Sequence, residues 1–562
     1  MPAPEHLIIA PVLVPLLAGA LMLFYEDRQR RAKRVISFIA VVTMIVVAHD
    51  LLNLARRGGE EGTVVVYLLG NWPPPFAIVL VLDRLAAMML LLTSVLALGS
   101  LIFATARWDR RGQHFHSLFM FLLMGVNGSF LTGDLFNLFV FFEVMLAASY
   151  GLALHGSGTL RVRVSLHYIA INLAASLLFL IGVSLIYGVT GTLNMADLTA
   201  RLPLLAQEDK ALLKAAAAIL GVAFLVKAAM WPLCFWLPIT YMASAPPVAA
   251  MFAILSKVGI YVILRLTALF GKGVGETGVG AEILVIGGFA TVVFGTVGVL
   301  ASQGLGRMAG SSVLVSSGTL LAVVGIFGLG GGPHLVAAGL YYLVNSTLAI
   351  GALFLMIELV ERDEGSFATV FAVTAELYGF SEDAADDDDP LVGPVLPGVF
   401  TVLSTCYACV ALLIAGLPPL AGFMAKFAIL SAVFDPAGLG AGDGPSAIAF
   451  ALTALLLVSG LAAMIALVRT GIQTFWGFVD EEDRSRAALV ELAPIIGLIG
   501  ITLYMTVQAN SVMSYMEATA RSLSEPRLYV ETVLGANPYV IEEPDAAVPG
   551  GDTVPAPEGT TP

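Results

Sequence analysis

Charge is scarce in this sequence. Asp, Glu, Lys and Arg make up 12% of its 562 residues, 58% are hydrophobic, and the mean hydropathy is +0.91. No soluble core can hide that much apolar surface, so a polytopic helical membrane protein is the class that fits. Cysteine is nearly absent. Cys234, Cys406 and Cys409 are too few for a disulfide framework, and the CxxC at 406–409 has no second pair to complete a metal site, so it reads as packing. No Lys or Arg precedes the first apolar run in MPAPEH, which argues for an uncleaved first helix rather than a signal peptide. No cofactor motif occurs. The net charge of −13 collects in the SEDAADDDD loop near 381–389 and at Glu542, Glu543 and Asp545, which argues against nucleic acid as a partner.

What the chain has is a long series of apolar runs. They give about fourteen membrane spans, centred in 6–25, 35–55, 77–103, 115–132, 135–153, 166–188, 211–236, 247–268, 281–301, 309–329, 335–359, 395–433, 447–468 and 488–508. The fold class is therefore an all-α polytopic membrane protein, and its 57 glycines suit close helix packing in lipid. Basic loops set the orientation. Arg28, Arg30, Arg31, Lys33 and Arg34 follow the first span, Arg107, Arg110 and Arg111 the third, and Arg161 and Arg163 the fifth. These loops are expected on the cytoplasmic side, with both termini outside.

The chain divides into an N-terminal three-helix segment (1–110) and two five-helix units (111–270 and 271–470). An interfacial segment with the last helix (471–510) and an outer polar tail (511–562) follow. Residues 360–392 read as an acidic cytoplasmic surface loop. Residues 469–487, with Phe475, Trp476 and Phe478 beside charges, read as interfacial. The last 50 or so residues, rich in Pro, Gly and acid, read as largely disordered.

The few charges inside the spans carry the chemistry. Residues 211–268 hold two runs long enough to cross a bilayer, each with a lysine near its middle, Lys227 and Lys257. The connection between them is broken by Pro232, Pro238, Pro246 and Pro247. A lysine at the centre of a membrane helix costs roughly 2.5–3.5 kcal/mol, and Pro232 removes the N–H that the Ala228 carbonyl would accept. Two local rules broken side by side mark function. A second broken run, AGLPPLAGFMAKFAIL, holds Pro418, Pro419 and then Lys426. The two proline-broken helices, around 211–236 and 395–433, are each fourth in a group of five. Such a pair points to a transport site between inverted repeats.

Glu143 lies mid-span in FNLFVFFEVMLAASY, either as a titrating group or as a structural hydrogen-bonding partner to a neighbouring helix. Three lysines and one glutamate cannot all pair, so at least two lysines must be neutral or face water. A Glu143–Lys227 contact that opens and closes would make a proton relay. Other candidates are secondary. Tyr261, one turn after Lys257, is placed to bond toward the same cavity. Arg265 reads as snorkelling to the interface, Asp83 and Arg84 as a local ion pair, and Asp134 as a cap or turn residue. His167 at a span start is a candidate for proton access, and His334 after GGGP reads as interfacial.

Five segments now point to a family: GNWPPPFAIVLVLDRLAAMML (70–90), LTGDLFNLFVFFEVMLAASYGL (131–152), LVKAAMWPLCFWLP (225–238), APPVAAMFAILSKVGIYVILR (245–265) and GLPPLAGFMAKF (416–427). They resemble the proton-translocating, antiporter-like membrane subunits shared by respiratory complex I, membrane-bound hydrogenases and multisubunit Na+/H+ (Mrp-type) antiporters. Within that family they look most like the D-type subunit of the Mrp antiporters, and the likeness covers nearly all of residues 65–470.

The resemblance implies fourteen helices with two inverted five-helix repeats. It pairs Glu143 with Lys227, puts Lys257 in a central polar axis, and sets Lys426 near an exit half-channel. In YYLVNSTLAIGALFL many relatives in the complex I branch carry a histidine and a lysine where this chain has Asn345 and Ile350. The axis onward to Lys426 is therefore expected to rest on water, Asn345, Ser346 and Thr347. The implied function is a proton-conducting subunit of a cation/proton antiporter, a transporter without cofactor rather than an enzyme. It would couple H+ movement to Na+ efflux through other membrane subunits in a prokaryotic cell membrane. The alternative is a proton-pumping subunit of a redox-driven complex. A non-transporting scaffold would give no reason for four mid-membrane charges.

Overall fold

The computed structural model describes residues 4–26, 28–59, 62–270, 280–361, 397–434, 446–475 and 488–538. Helices α1 (Ala10–Leu23) and α2 (Arg30–Arg56) lead into a two-stranded antiparallel ribbon, β1 (Val65–Leu68) on β2 (Val79–Leu82). Next come α3 (Arg84–Ala106), α4 (Phe115–Leu131), α5 (Leu135–Ala153), α6 (Thr159–Thr190) and the short α7 (Met195–Arg201). Helix α8 (Gln207–Lys227), an irregular stretch, α9 (Trp236–Ala243) and α10 (Pro246–Phe270) cover the region around the first lysines. The second half runs through α11 (Ala281–Ala301), α12 (Leu305–Gly328) and α13 (Pro333–Glu361). It continues with α14 (Pro397–Ala415), α15 (Ala421–Phe434), α16 (Ala447–Phe475) and α17 (Leu489–Val507). Two further helices, α18 (Ala509–Ser524) and α19 (Arg527–Leu534), close the described chain.

Among the described residues, 11 helices are long and apolar enough to cross a membrane, and shorter apolar helices lie at Phe115–Leu131, Phe400–Ala415 and Ala421–Phe434. Burial sorts them into two shells. The apolar window of α10 is wholly enclosed, and those of α3, α12 and α13 nearly so, whereas α1, α2, α6 and α16 expose most of theirs. A helix that is hydrophobic all round belongs at the centre, and α10 packs there against α3, α4, α8, α12 and α13. Gly259 permits the tightest of these approaches. A Cβ at that position would come within 2.8 Å of the Ala228 backbone nitrogen, so α10 can press on the end of α8 only where it lacks a side chain.

Both proline-broken helices end the same way. Ala229 takes a left-handed φ of 55° while its N–H bonds Val226 O and the Met230 N–H bonds Leu225 O at 3.0 Å. This is a Schellman termination, here built on a non-glycine residue. Gly416 adopts φ 76°, and the Gly416 and Leu417 N–H groups both reach Leu412 O, at 2.9 and 3.1 Å. Each half-helix thus presents an unwound carbonyl end at mid-bundle. The break at Lys227 comes before Pro232, because the helix has already stopped at Ala228.

Four expectations are corrected. The run from Ala77 is not all helical, since 79–82 form β2 and α3 begins at Arg84; a short, continuously apolar strand such as VLVL cannot be told by periodicity from the edge of a span. Residues 469–475 continue α16 rather than lying in an interfacial segment; Trp476 and Phe478 are outside the described residues, as is the acidic loop from 362. The tail is not a disordered one over 509–534. Helix α18 buries Met516, Thr519, Ala520 and Leu523, one face at helical spacing, and packs on α13. Finally, Asp83 and Arg84 do not pair with each other. Asp83 caps α3 through the Ala86 N–H at 2.9 Å and holds Arg265 in a two-pronged ion pair, while Arg84 donates to the carbonyls of Ala55 and Gly59.

The end bearing the basic loops is tied by another cluster. Arg34 of α2 grips Asp109 ahead of α4 with two nitrogens, Nη2 to Oδ1 at 2.8 Å. His116 of α4 lies 3.5 Å from the same carboxylate and 3.0 Å from the Ser37 hydroxyl. Burial pushes the Asp109 carboxyl up, but the hydrogen bonds from His116 and Arg34 outweigh it and hold it below the usual aspartate range. His155, just past α5, donates through Nε2 to Trp108 O at 2.7 Å, and burial lowers its pKa. The Trp108 indole in turn donates to Glu358 on α13.

Candidate functional site

Glu143, Lys227, Lys257 and Lys426 sit on α5, α8, α10 and α15. The three lysines are buried and Glu143 is half-buried. None of them makes an ion pair within 4 Å among the described residues; each is instead held by hydroxyls, amides or carbonyls.

The first contact is indirect. Asn172 and Ser176 stand four residues apart on α6 and so share a face. Lys227 Nζ donates to Asn172 O and Oδ1, both at 3.3 Å, and to Ser176 Oγ at 3.4 Å. The Ser176 hydroxyl donates to Glu143 Oε1. The expected Glu143–Lys227 pair is therefore joined through one serine hydroxyl. Lys227 also occupies the last turn of α8, where the negative end of the helix dipole favours a cation by up to about 2 kcal/mol in buried geometry.

Lys257 reaches Ser317 Oγ of α12 at 3.4 Å. The adjacent Ser316 faces the other way and shares a 2.9 Å hydrogen bond with Ser346 of α13. Beyond it lies a cavity of about 20 Å³ lined by Ser316, Tyr342, Asn345, Ser346, Ile350 and Lys426, room for a single water. Asn345 is buried and its Oδ1 has no hydrogen-bond partner among the described residues, so its acceptor is available to that space. Lys426 Nζ donates to Ala415 O at 2.8 Å and Ile414 O at 3.3 Å. These are carbonyls that the left-handed exit at Gly416 leaves without helical partners.

The secondary candidates fare differently. Ser346 and Asn345 border the cavity, but the Thr347 hydroxyl is taken by Leu343 O at 2.7 Å. Tyr261 points away from Lys257, donating to Phe130 O at 2.6 Å and accepting from Arg265 at 2.8 Å. Arg265 does not snorkel. It is buried against Asp83, with the rings of Tyr261 and Tyr529 each 5.3 Å from its guanidinium. His167 is exposed on α6, well inside the helix, and makes no contact with the lysines. His334 is exposed, 3.9 Å from Glu517. Asp134 caps α5 through the Asn137 N–H at 2.9 Å. Asn172, Ser176, Ser316 and Ser317 were not marked by the sequence, because serine in a membrane helix commonly bonds its own i−4 carbonyl and carries no signal of its own.

Two arrangements of charge stand out in the bundle. Asp83–Arg265 and Arg34–Asp109 are locked against full counter-charges and brace the ends. The four mid-bundle groups are held instead by neutral partners: Glu143 and Lys227 share Ser176, Lys257 meets Ser317, and Lys426 meets two backbone carbonyls.

Known proteins agree with this architecture. The family described as NADH:quinone oxidoreductase/Mrp antiporter, TM, matches residues 132–379. The chain is 54% identical to a D-type subunit of a probable K(+)/H(+) antiporter from Rhizobium meliloti, over 95% of this chain and 98% of that one. It is 34% identical to the D-type subunit of the Na(+)/H(+) antiporter from Alkalihalophilus pseudofirmus, over 94% and 99% respectively. A chain of the Mrp complex from Dietzia sp. superposes with a TM-score of 0.77 at 26% identity, covering 95% of this chain and all of that one. A chain of Thermus thermophilus respiratory complex I, at 22% identity and a TM-score of 0.68 over 92% and 99%, shares the fold. The chain thus belongs to the family of antiporter subunits of the NADH:quinone oxidoreductase/Mrp type, transporter subunits rather than enzymes.

Proposed function

We propose that this chain carries protons within a multisubunit cation/proton antiporter of a bacterial cell membrane. H+ passes along Glu143, Ser176, Lys227, Lys257, Ser317 and, by way of Ser316, Ser346, Asn345 and a water, Lys426. Other membrane subunits supply the exchanged cation's route, and the cation is Na+ or K+, the two that the names of its relatives give. Counting each broken helix as one crossing makes fourteen crossings, related as two inverted five-helix repeats, with the basic loops cytoplasmic and both termini outside. The observation that carries this reading is the set of three buried lysines and half-buried Glu143, held by hydroxyls, an amide and carbonyls with no ion pair within 4 Å among the described residues.

The experiment uses everted vesicles containing the full complex. Lys426→Ala and Glu143→Ala are expected to abolish the cation-dependent collapse of the pH gradient, with Na+ and K+ assayed separately. Undiminished exchange in either variant sinks the assigned roles. A redox-driven pump is the competing reading, and copurifying flavin and iron–sulfur subunits would favour it.

A further inference from the structure

The basic end of the bundle carries a feature that proton transfer does not use. Between the end of α1 and the start of α2 lies an open cavity of about 610 Å³, lined by Tyr25, Arg28, Arg30, Arg31, Arg34 and Arg110 among others. Orienting a membrane protein requires arginines in a loop; it does not require them to converge on one concave surface, nor Arg110 to complete it from a loop remote in sequence. Arg34 is fixed in the wall by its grip on buried Asp109. Arg28, Arg31 and Arg110 are exposed and make no ion pair among the described residues. Glu26 is exposed beside this cavity's rim residues in sequence, and Asp27 is outside the described residues. Directly below, Leu21, Leu23 and Phe24 at the end of α1 and Val35, Phe38 and Ile39 on the first turns of α2 face outward.

We propose that this cavity holds the headgroup of an anionic phospholipid. Its phosphate lies against the guanidinium groups of Arg28, Arg31, Arg34 and Arg110, and its acyl chains run down the apolar strip of α1 and α2. Guanidinium groups match phosphate oxygens two at a time, and a basic pocket at a membrane boundary recognises anionic headgroups. A charged rim above an apolar strip suits an amphiphile better than a free ion.

The test uses the full-length protein with its copurifying subunits, extracted in mild detergent and exposed to phosphatidylglycerol and phosphatidylcholine in equal amounts. Native mass spectrometry compares it with an Arg28→Gln/Arg31→Gln/Arg110→Gln variant, which leaves Arg34 to hold Asp109. The wild type is expected to retain phosphatidylglycerol preferentially, and the variant to lose about tenfold of that retention with an unchanged melting temperature in lipid-free detergent. The corresponding triple Lys variant should recover part of it. Equal retention by wild type and Gln variant overturns the proposal. So does stabilisation by inorganic phosphate as great as by phosphatidylglycerol, which would make this a free-anion site. Loss of an acidic subunit from the variant, with lipid retention unchanged, would assign the cavity to a protein partner and likewise overturn it.

Discussion

At the scale of single residues, Ser176 is the contact that composition hides. Its hydroxyl lies between a carboxylate and an ammonium group, donating to Glu143 and accepting from Lys227. A hydrogen bond to a charged partner contributes about 1.5–3 kcal/mol, and about 1.4 kcal/mol is a factor of ten in rate. Ser176→Ala is therefore expected to slow cation-driven proton flux in vesicles by roughly tenfold or more, while Ser176→Thr, which keeps a hydroxyl, retains most of it. Equal loss in both variants would indicate a packing role. The lysines and Glu143 were legible from sequence because charge in an apolar run is rare and costly. Their connections were not. Arg265 shows why: near a helix end, a long cation reads as snorkelling, and only the fold brings Asp83 from the start of α3 to meet it.

At the scale of elements, the broken helices were the most legible part. The prolines flag each break, but the helices stop before them, at Ala228 and Ala415, and the left-handed exits at Ala229 and Gly416 account for the exposed carbonyl ends. Helices α18 and α19 were the least legible. Pro, Gly and acid dominate the average of the last residues and mask one amphipathic turn sequence in ANSVMSYMEATARSLS. Tyr515 from α18 donates to Arg84 O at 2.8 Å, and Tyr529 from α19 covers Arg265. Truncation after Gln508 removes both tyrosines, together with the buried Met516 and Leu523, and uncovers Arg265 and the Arg84 carbonyl. It is expected to lower the apparent melting temperature in size-exclusion thermostability assays by several degrees, as loss of a few kcal/mol of burial would. An unchanged midpoint would mean these helices do not brace the bundle.

At the scale of the molecule, two ends are braced by ion pairs, while Glu143 and the three mid-bundle lysines make none within 4 Å among the described residues. The brace at the basic end gives stability a pH signature. Asp109 has its pKa depressed in the fold, so its contribution is complete above the ordinary aspartate pKa of about 3.9 and fades only as pH falls through the lower folded value. Asp109→Asn should therefore lower stability by a similar amount everywhere between about pH 5 and 8. His155, buried and held neutral, also has a depressed pKa. Its contribution is complete above the ordinary value of about 6.5 and is lost as pH falls from there toward the folded value. Thermal midpoints should drop as pH falls below about 6.5, and His155→Gln should flatten that slope. An unaltered slope would remove His155 from the account.

The complete enclosure of α10 has a consequence for energy conservation. A subunit that handles protons must also insulate, since any continuous file of water would discharge the gradient without moving a cation. Every residue in the apolar window of α10 is buried, so on the proposed relay Lys257 would exchange protons only with groups that the protein itself presents. Phe252 is part of that sheath, 5.5 Å from the ring of Tyr241 and 6.2 Å from that of Tyr168. Phe252→Ser would open space beside two phenol groups, polar and roomy enough to admit water. The expected result is a passive proton leak in vesicles that needs neither Na+ nor K+, so the variant would fail as an insulator while its relay remains intact.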